Sequence, residues 1–475
     1  MRFATAQLFK ERAVANRTYK ATREMATVEV LAVNQGTSDP AGLGQAMYDL
    51  MATLYPICRS ITGDGVRQSL RVLQQYIPLT LHEVPTGTPV FDWTVPKEWN
   101  IRDAYVKDAR GEKVIDFQQS NLHILNYSRP LAARMSLAEL KPHLFSLPDQ
   151  PHCIPYRTAY YHETWGFCLP HNTLMALPDG DYEVVIDSTL ADGHLTYGEL
   201  ILPGASDEIV LISCHCCHPS LCNDNLSGMV LSTCLAKALL AQSEQQQLHY
   251  TYRFLFIPGT IGSITWLSLH EEEIEKIKHG LVVACVGDSG DFTYKKSRQG
   301  NAEIDRAVIH TLAQRQQPYQ VLDFSPFGYD ERQYCSPGFN LPVGSLTRTP
   351  HGRFPEYHTS ADNLTFVTAA ALADSLATYQ AVIEVLEQNG TYVNLKPKGE
   401  PQLGKRGLYS AFGGKKDTKV REMAMLWLLN YADGKHTLLD IAEKSGYAFP
   451  LIVEVAQTLE AHGLLERKDH EIHQF

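Results

Sequence analysis

The chain has 475 residues, 44% hydrophobic and 20% charged, a balance typical of a globular protein with two or three domains. Its formal net charge of −11 and isoelectric point near 5.9 argue against a nucleic-acid backbone as the main partner. No apolar stretch approaches the ~20 residues needed to cross a bilayer, so neither nucleic acid nor a membrane is predicted as a partner.

The ten cysteines lack a regular disulfide spacing, and the N-terminus lacks the apolar core of a secretory signal. Both features predict a cytoplasmic protein with reduced thiols. Residues 1–35 are rich in basic side chains and poor in acidic ones. We expect them to form an N-terminal extension that does not belong to the folded domains.

The folded chain is predicted to begin with two helices, over residues 47–55 and 66–77. Between residues 93 and 175 the sequence pattern changes: Trp, Tyr and Pro residues alternate with short segments typical of β-strands. This region is predicted to be an inserted β-rich domain.

Strands and helices alternate after the insert. Strands are predicted over 209–213, 252–257 and 281–286, and helices over 226–241, 263–277, 302–315 and 369–387. This order builds a mixed, mostly parallel sheet covered by helices. We therefore assign residues 36–92 and 176–395 to one α/β domain.

Residues 396–419 are rich in Lys, Gly and Pro and are predicted to form a linker. Residues 420–475 contain three helical segments and a pattern for a closing strand pair, which is the order of a winged helix. From residue 422 onward nine acidic residues stand against four basic ones. The acidic balance predicts a packing or docking module rather than a DNA reader. Homo-oligomer formation through this module or the inserted domain is a further expectation.

The densest cluster of potential metal ligands is the segment SCHCCHPSLCNDNLSG, residues 213–228. An apolar β-branched run precedes it and a helical run follows, so it lies at the carboxyl end of a strand, where open α/β sheets bind ligands. His215, His218 and Asp224 offer imidazole and carboxylate groups, which are natural zinc ligands. Two alternatives stay open. Asp224 and Asn225 could cap the next helix, or the four nearby cysteines could form a thiolate site.

A further ligand has to come from a distant part of the chain. The loop RFPEYHTSADN, residues 353–363, offers His358 with carboxylates close by in sequence. The alternative is that this loop only begins the next helix. Asp288, in the sequence CVGDSGD, is a reserve ligand.

The loop FGYDERQYCSPG, residues 327–338, concentrates charged residues between two glycines. Such a loop is more typical of a structured binding site than of a solvent-exposed run of charged residues. The side chains predicted to contact substrate are those of Tyr329, Asp330, Arg332, Arg348 and Arg353. The arginines could clamp a substrate carboxylate.

Four motifs in this order carry a resemblance: HPSLCNDNLSG, IPGTIGSI, GYDERQYCSPGF and PEYHTSADNL. They resemble aminopeptidase-like proteins often labelled as polysaccharide-biosynthesis proteins, which are similar in turn to co-catalytic zinc aminopeptidases and glutaminyl cyclases. The resemblance covers nearly all of residues 40–475. It implies a zinc-aminopeptidase-like three-layer α/β/α domain with an inserted β-rich domain and a C-terminal winged-helix module.

In the zinc aminopeptidases two metals are held by a His at a strand end, a bridging Asp, a Glu pair, a further Asp and a late His. By this resemblance His215 or His218 matches the first His, and Asp224 matches the bridging Asp. His358 matches the late His. Asp288 or Cys285 matches the further Asp.

Gly259 stands where the related proteins have a Glu. Losing a general base typically lowers the rate by about 10²–10⁴-fold, and glycine supplies neither a base nor a ligand. We expect an open, water-filled gap at this position. Glu331 or Glu356 could supply the missing base.

The resemblance implies a zinc-dependent hydrolase that acts on an amide or peptide bond of a small molecule, short peptide or modified sugar. One alternative is a catalytically weak or inactive relative that binds metal or ligand. The other is a zinc-dependent acyl-transfer or cyclising enzyme.

Overall fold

The computed structural model describes residues 40–408 and 417–468. The predicted N-terminal extension and residues 469–475 lie outside the described residues. The strands, β1 to β19 in chain order, are Thr80–Pro85, Pro89–Val90, Trp93–Thr94, Glu98–Lys107, Lys113–Asp116, Leu131–Ser136, Leu144–Phe145, Phe167–Cys168, Asp181–Ala191, His194–Leu202, Ile209–His215, Thr251–Ile257, Ile277–Val283, Phe292–Lys295, Tyr319–Leu322, Val343–Thr347, Thr391–Asn394, Asp433–Thr437 and Leu465–Lys468.

The helices, α1 to α12, are Pro40–Leu54, Asp64–Leu73, Leu137–Leu140, His171–Met175, Ser227–Ser243, Ile261–Leu269, Glu303–Gln314, Glu331–Tyr334, Ala369–Gln388, Asp417–Tyr431, Leu438–Ser445 and Phe449–Ala461. Helix α6 ends earlier than the predicted helix 263–277. A 3₁₀ turn over Glu271–Lys276 follows it, where three consecutive glutamates remain at the surface.

The α/β domain is built on an eight-stranded mixed sheet in the order β1-β10-β12-β11-β13-β16-β14-β15. Strands β12, β11, β13 and β16 run parallel to one another, while β1, β10 and β14 pair antiparallel to a neighbour. The central strand β11 is buried along its whole length. Its apolar, β-branched sequence suits a strand that is covered on both faces.

Alternate residues of β11 enter two different cores, as the two-residue period of a strand requires. Val210 and Ile212 belong to the core that includes α1, α5 and α9, and Ile209 and Leu211 belong to the core that includes α6 and the inserted domain. The domain therefore has the three layers expected from the sequence. The expectation that no apolar stretch approaches the length of a membrane span is corrected here. The segments Cys222–Ser243 and Ala369–Gln388 are long and apolar enough by length and composition, but most of each is buried inside this domain.

The insert contains an antiparallel sheet in the order β5-β4-β9-β6. Because β4 and β9 pair from Glu98↔Ala191 to Lys107↔Glu183, this sheet reaches past residue 175, where the sequence analysis ended the insert.

The winged-helix module comprises α10, α11 and α12 with a small sheet in the order β18-β17-β19. Strand β17 starts at Thr391, so the module begins before the predicted linker at 396–419. Arg306 on α7 contacts Asp440 and Glu443 on α11 and thereby ties the module to the α/β domain.

Candidate metal centre

The end of β11 and the following loop place three polar side chains together. His215 is the last residue of β11, and the loop to α5 carries His218 and Asp224. The buried guanidinium of Arg59 donates to the carbonyl oxygen of His218 at 2.8 Å and so fixes the loop. The carboxylate of Asp224 is fully buried, and the side chain of His218 is only 16% exposed.

Three imidazoles surround the Asp224 carboxylate. The Nε2 atom of His215 lies 2.8 Å from Oδ1, and the Nε2 atom of His358 lies 2.9 Å from Oδ2. The Nδ1 atom of His218 lies 3.4 Å from Oδ2. The structure therefore brings together four of the predicted ligands, including the one from a distant part of the chain.

The inserted domain holds the loop that carries His358. The backbone N–H of Tyr156 donates to the carbonyl oxygen of His358, and Pro155 pairs with Thr359 in an isolated antiparallel bridge. The Tyr156 ring packs edge-on against both His218 and His358, with centroids 5.1 Å away in each case. The sequence analysis missed this tyrosine. Its only signal was an aromatic-rich insert, which does not specify one ring.

Asp362 fixes the backbone of the metal loop. Its buried carboxylate accepts hydrogen bonds from the backbone N–H groups of Asn223 at 2.6 Å and Asp224 at 3.0 Å. Burial raises the pKa of Asp362 to about 7, against the lowering effect of these hydrogen bonds. The carboxylate noted near His358 in the sequence thus positions the ligand loop through the backbone.

The electrostatics of the cluster favour a bound cation. Burial alone would raise the pKa of Asp224, but the neighbouring imidazoles outweigh this effect and hold the pKa well below its usual range. Burial lowers the pKa of His218 to about 4, so this imidazole is neutral and available as a ligand near pH 7. Its buried Nδ1 atom has only the long 3.4 Å approach to Oδ2 of Asp224. The neutral imidazole of His218 beside an ionised carboxylate, with two further imidazoles on that carboxylate, fits a zinc ion.

Of the two alternatives from the sequence, the structure shows the helix cap in part. The Oδ1 atom of Asn225 accepts a hydrogen bond from the backbone N–H of Gly228 in the first turn of α5, whereas Asp224 makes no such bond. Among the described residues, the convergent ligand group contains His215, His218 and Asp224 but no cysteine. The Cys217 thiol instead contacts the carbonyl oxygen of Gly259.

The expected gap at Gly259 is absent, which corrects the sequence analysis. A Cβ atom at Gly259 would lie 3.1 Å from the Cβ of His215 and 3.3 Å from Oδ2 of Asp330. Asp330 therefore reaches the space that a longer side chain at Gly259 would enter. Its Oδ1 accepts a hydrogen bond from Ser263, whereas its buried Oδ2 has no partner among the described residues. Burial raises the pKa of Asp330.

The two glutamates expected to replace the missing base are placed differently. The fully buried carboxylate of Glu331 forms a close ion pair with Lys295. The side chain of Glu356 has no hydrogen bond or ion pair among the described residues, and only its backbone oxygen accepts hydrogen bonds, from Thr359. Neither glutamate occupies the space beside Gly259, which belongs to Asp330.

The remaining predicted site residues divide into two groups. Asp288 binds Asn223, Gly290 and Thr349, and it lies outside the convergent ligand group. The guanidinium of Arg348 is buried against Ser375, Asp374 and the carbonyl oxygen of Gly290, which makes it a structural residue. These two side chains are engaged within the fold.

Of the other three residues, Tyr329 is buried, Arg332 is half-buried and Arg353 is exposed. The Tyr329 ring stacks on His215 with centroids 5.7 Å apart, and its hydroxyl contacts the thiol of Cys285 at 3.0 Å. Arg332 lies over the Phe327 ring, and the exposed Arg353 donates to Gln320.

The chain is similar to known proteins over nearly its whole length. Residues 48–389 match a family described as a domain of unknown function (DUF4910), and residues 390–467 match a winged helix-turn-helix. A Clostridium acetobutylicum protein, named for polysaccharide biosynthesis and an aminopeptidase-like domain, is 53% identical over 434 residues, which are 91% of this chain and 99% of that protein. The winged helix-turn-helix is a fold that binds DNA in other proteins, so this match speaks against the expectation of no nucleic-acid partner without deciding it.

Solved structures give the same picture of the fold. A crystal structure of a C. acetobutylicum protein described as a peptidase has 52% identity and a TM-score of 0.86, with 90% of this chain and 97% of that chain covered. A zinc aminopeptidase from Bacillus subtilis has 11% identity and a TM-score of 0.52, with 72% of this chain and 95% of that chain covered. At such low identity the second likeness shows the fold alone.

Proposed function

This chain belongs to the DUF4910 family, and on that premise we propose that it is a zinc-dependent hydrolase of an amide or peptide bond in a small molecule, short peptide or modified sugar. The observation that carries the proposal is the convergence of His215, His218 and His358 on the buried carboxylate of Asp224. The aminopeptidase-like fold and the name of the C. acetobutylicum relative support the same class of reaction.

His215, His218, Asp224 and His358 would hold the zinc ion. Bound there, zinc supplies a Lewis acid that polarises a carbonyl group. The rings of Tyr156 and Tyr329 pack on the imidazoles of His218, His358 and His215 and so shield part of their surface from water. A drier site strengthens every charge interaction within it.

Asp330 is the group best placed to take a proton from an attacking water molecule. Its free Oδ2 atom lies beside His215 in the space that faces Gly259. A buried carboxylate with a raised pKa is a stronger base than an exposed one. The sequence analysis assigned Asp330 to substrate binding. Its position supports a second role, as the general base.

Metal content and turnover test the proposal together. Protein purified without added zinc is analysed for bound metal and assayed on a panel of aminoacyl amides. We expect bound zinc in the unaltered protein and a large loss of zinc in Asp224→Asn. Asp330→Asn is expected to retain zinc and lose about 10²–10⁴-fold in turnover. Absence of zinc from the unaltered protein, even after incubation with excess metal, would exclude the proposed function.

The second candidate is a metal- or ligand-binding relative without useful catalysis, and Gly259 is the observation that favours it. The same experiment separates the two candidates. Zinc bound at Asp224 with no turnover of any amide in the panel supports the binding protein. Turnover that Asp330→Asn abolishes supports the hydrolase.

A further inference from the structure

A cavity adjoins the candidate metal centre on the far side of Tyr329. Its volume is about 180 Å³, below the range of about 300–1,000 Å³ that is usual for drug-sized ligands, so its occupant has to be small. Alternate residues of β14 and β16 line it, namely Thr293 and Lys295 on one strand and Ser345 and Thr347 on the other. Side chains two positions apart share one face of a strand, so the sheet edge forms one wall of the cavity.

The cavity shares a wall with the metal centre. The ring of Tyr329, which lines the cavity, stacks on His215. The ring of His351, another lining residue, packs edge-on against Tyr329 at 5.0 Å, and its backbone N–H donates to the tyrosine hydroxyl. A molecule held in this cavity would therefore lie next to the candidate ligands.

Three polar atoms around this cavity lack partners. They are Oε2 of Glu331, Oγ of Ser345 and Nδ1 of His351, all buried and without a hydrogen bond among the described residues. Glu331 is fully buried, and Ser345 is 2% exposed. Buried polar groups are nearly always hydrogen-bonded, because an unpaired one costs about 1–3 kcal/mol. Three such atoms along one cavity favour a polar occupant over an apolar one.

The charges around the cavity disfavour a cationic amine. Lys295 already neutralises Glu331 through a close ion pair, and its ammonium group also donates to the carbonyl oxygens of Ser325 and Phe327. Arg353 adds a positive charge at the lining. An ammonium group would thus meet a net positive surface. A neutral hydroxyl group can donate to Glu331 and accept from Ser345 without that repulsion.

Aromatic rings complete the cavity. Phe327, which is 67% exposed, and the buried Tyr329 both line the cavity. The lining therefore contains aromatic rings as well as polar atoms. We propose that this cavity binds a hydroxyl-rich sugar ring as the recognition subsite of the substrate. The substrate role rests on the proposed hydrolase function, whereas the binding itself does not.

Sugar binding to the full chain is measured by saturation-transfer NMR after chelation of metal. The probes are D-glucose, N-acetyl-D-glucosamine and D-glucuronic acid, with n-butylamine as the cationic comparison. We expect at least one sugar to bind in preference to the amine. Ser345→Ala and Glu331→Gln are each expected to weaken that binding by about tenfold or more.

Ser232→Ala is the matched control, because Ser232 is also a buried serine but lies on α5, outside the cavity. It should leave sugar binding unchanged. Thermal unfolding checks that each variant folds. If loss of the ion pair with Lys295 unfolds Glu331→Gln, the milder variant Ser345→Ala still tests the proposal. The proposal is overturned if no sugar binds, if binding survives Ser345→Ala in folded protein, or if butylamine binds in preference. Because the assay uses chelated protein, a failure of hydrolysis and a failure of sugar binding remain distinguishable.

Discussion

Two residues at the candidate site have a backbone conformation that L-amino acids rarely adopt. His358 has a φ of 54° and Cys285 a φ of 49°. Such conformations cost about 1–3 kcal/mol and persist only where the surroundings hold them. Here a backbone hydrogen bond from Tyr156 holds His358, and the Tyr329 hydroxyl contacts Cys285. The strain accompanies the placement of the His358 imidazole on Asp224.

Gly259→Glu is expected to lower zinc binding and turnover rather than restore a base. Its Cβ atom would lie 3.1 Å from the Cβ of His215, so that side chain must shift, at a cost of about 1–3 kcal/mol. The new carboxylate would also crowd Asp330, and like charges at such range disfavour ionisation of both. Zinc titration and amide turnover of the variant measure both effects. Gly259→Ala is the control that adds only the Cβ atom, and increased turnover in Gly259→Glu would contradict this expectation.

The residue types of the metal centre were predictable, but the replacement of the missing Glu was not. Spacing alone grouped His215, His218 and Asp224 at a strand end, and the loop 353–363 offered His358, which the resemblance then matched to the late His. Asp330 and Gly259 lie 71 positions apart in sequence. Only the folded loop after β15 shows that the carboxylate of Asp330 occupies the space beside Gly259.

At the scale of elements, the strand–loop–helix unit of β11 and α5 supplies ligands, and the insert locks the second ligand loop against it. The insert makes this contact through residues 154–156, which pair with 358–360. An aromatic-rich β module with no ligand of its own thus determines how His358 meets Asp224. The insert therefore contributes to the site as well as to the fold.

Tyr156→Ala is expected to weaken zinc binding by about 10–100-fold, the usual effect of losing a residue that orients metal ligands. The variant removes the ring that packs on His218 and His358 and admits water to both. Tyr156→Phe is the matched control, since it keeps the ring and loses only the 2.9 Å hydroxyl contact with Tyr160. Competition with a zinc chelator measures the affinity. Equal losses in the two variants would show that the hydroxyl, and not the ring, matters.

Element type could be predicted well where apolar periodicity was strong, and boundaries less well. The predicted strand at 209–213 and helix at 226–241 match β11 and α5 within two residues. The end of the insert was misplaced because β9 pairs with β4 across more than 70 residues, a contact that local pattern does not encode. The start of the winged helix was misplaced for the same reason, since β17 pairs with the distant β19.

At the scale of the whole molecule, the winged helix continues the α/β core. Residues of α10 to α12 belong to the same buried apolar cluster as β11 and α5. Arg306 adds charged contacts with Asp440 and Glu443 across the junction. These contacts favour a module that is fixed to the α/β domain rather than one tethered by a flexible linker.

We expect the full chain to show no salt-sensitive binding to duplex DNA. The helix that would enter a groove is α12, and its sequence FPLIVEVAQTLEA contains no Lys or Arg and two glutamates. One of them, Glu454, forms an ion pair with Arg421 and so neutralises a nearby positive charge. DNA affinity comes largely from neutralising phosphates, and acidic side chains at the groove repel them.

Fluorescence anisotropy with a labelled random-sequence duplex at low and physiological salt measures this binding. A Glu454→Lys/Glu460→Lys double variant serves as the comparison, because it reverses two charges on α12 and should raise affinity at low salt. Binding of the unaltered chain that weakens steeply with salt would mean that another surface contacts the phosphates. In that case the chain would bind DNA through residues outside α12.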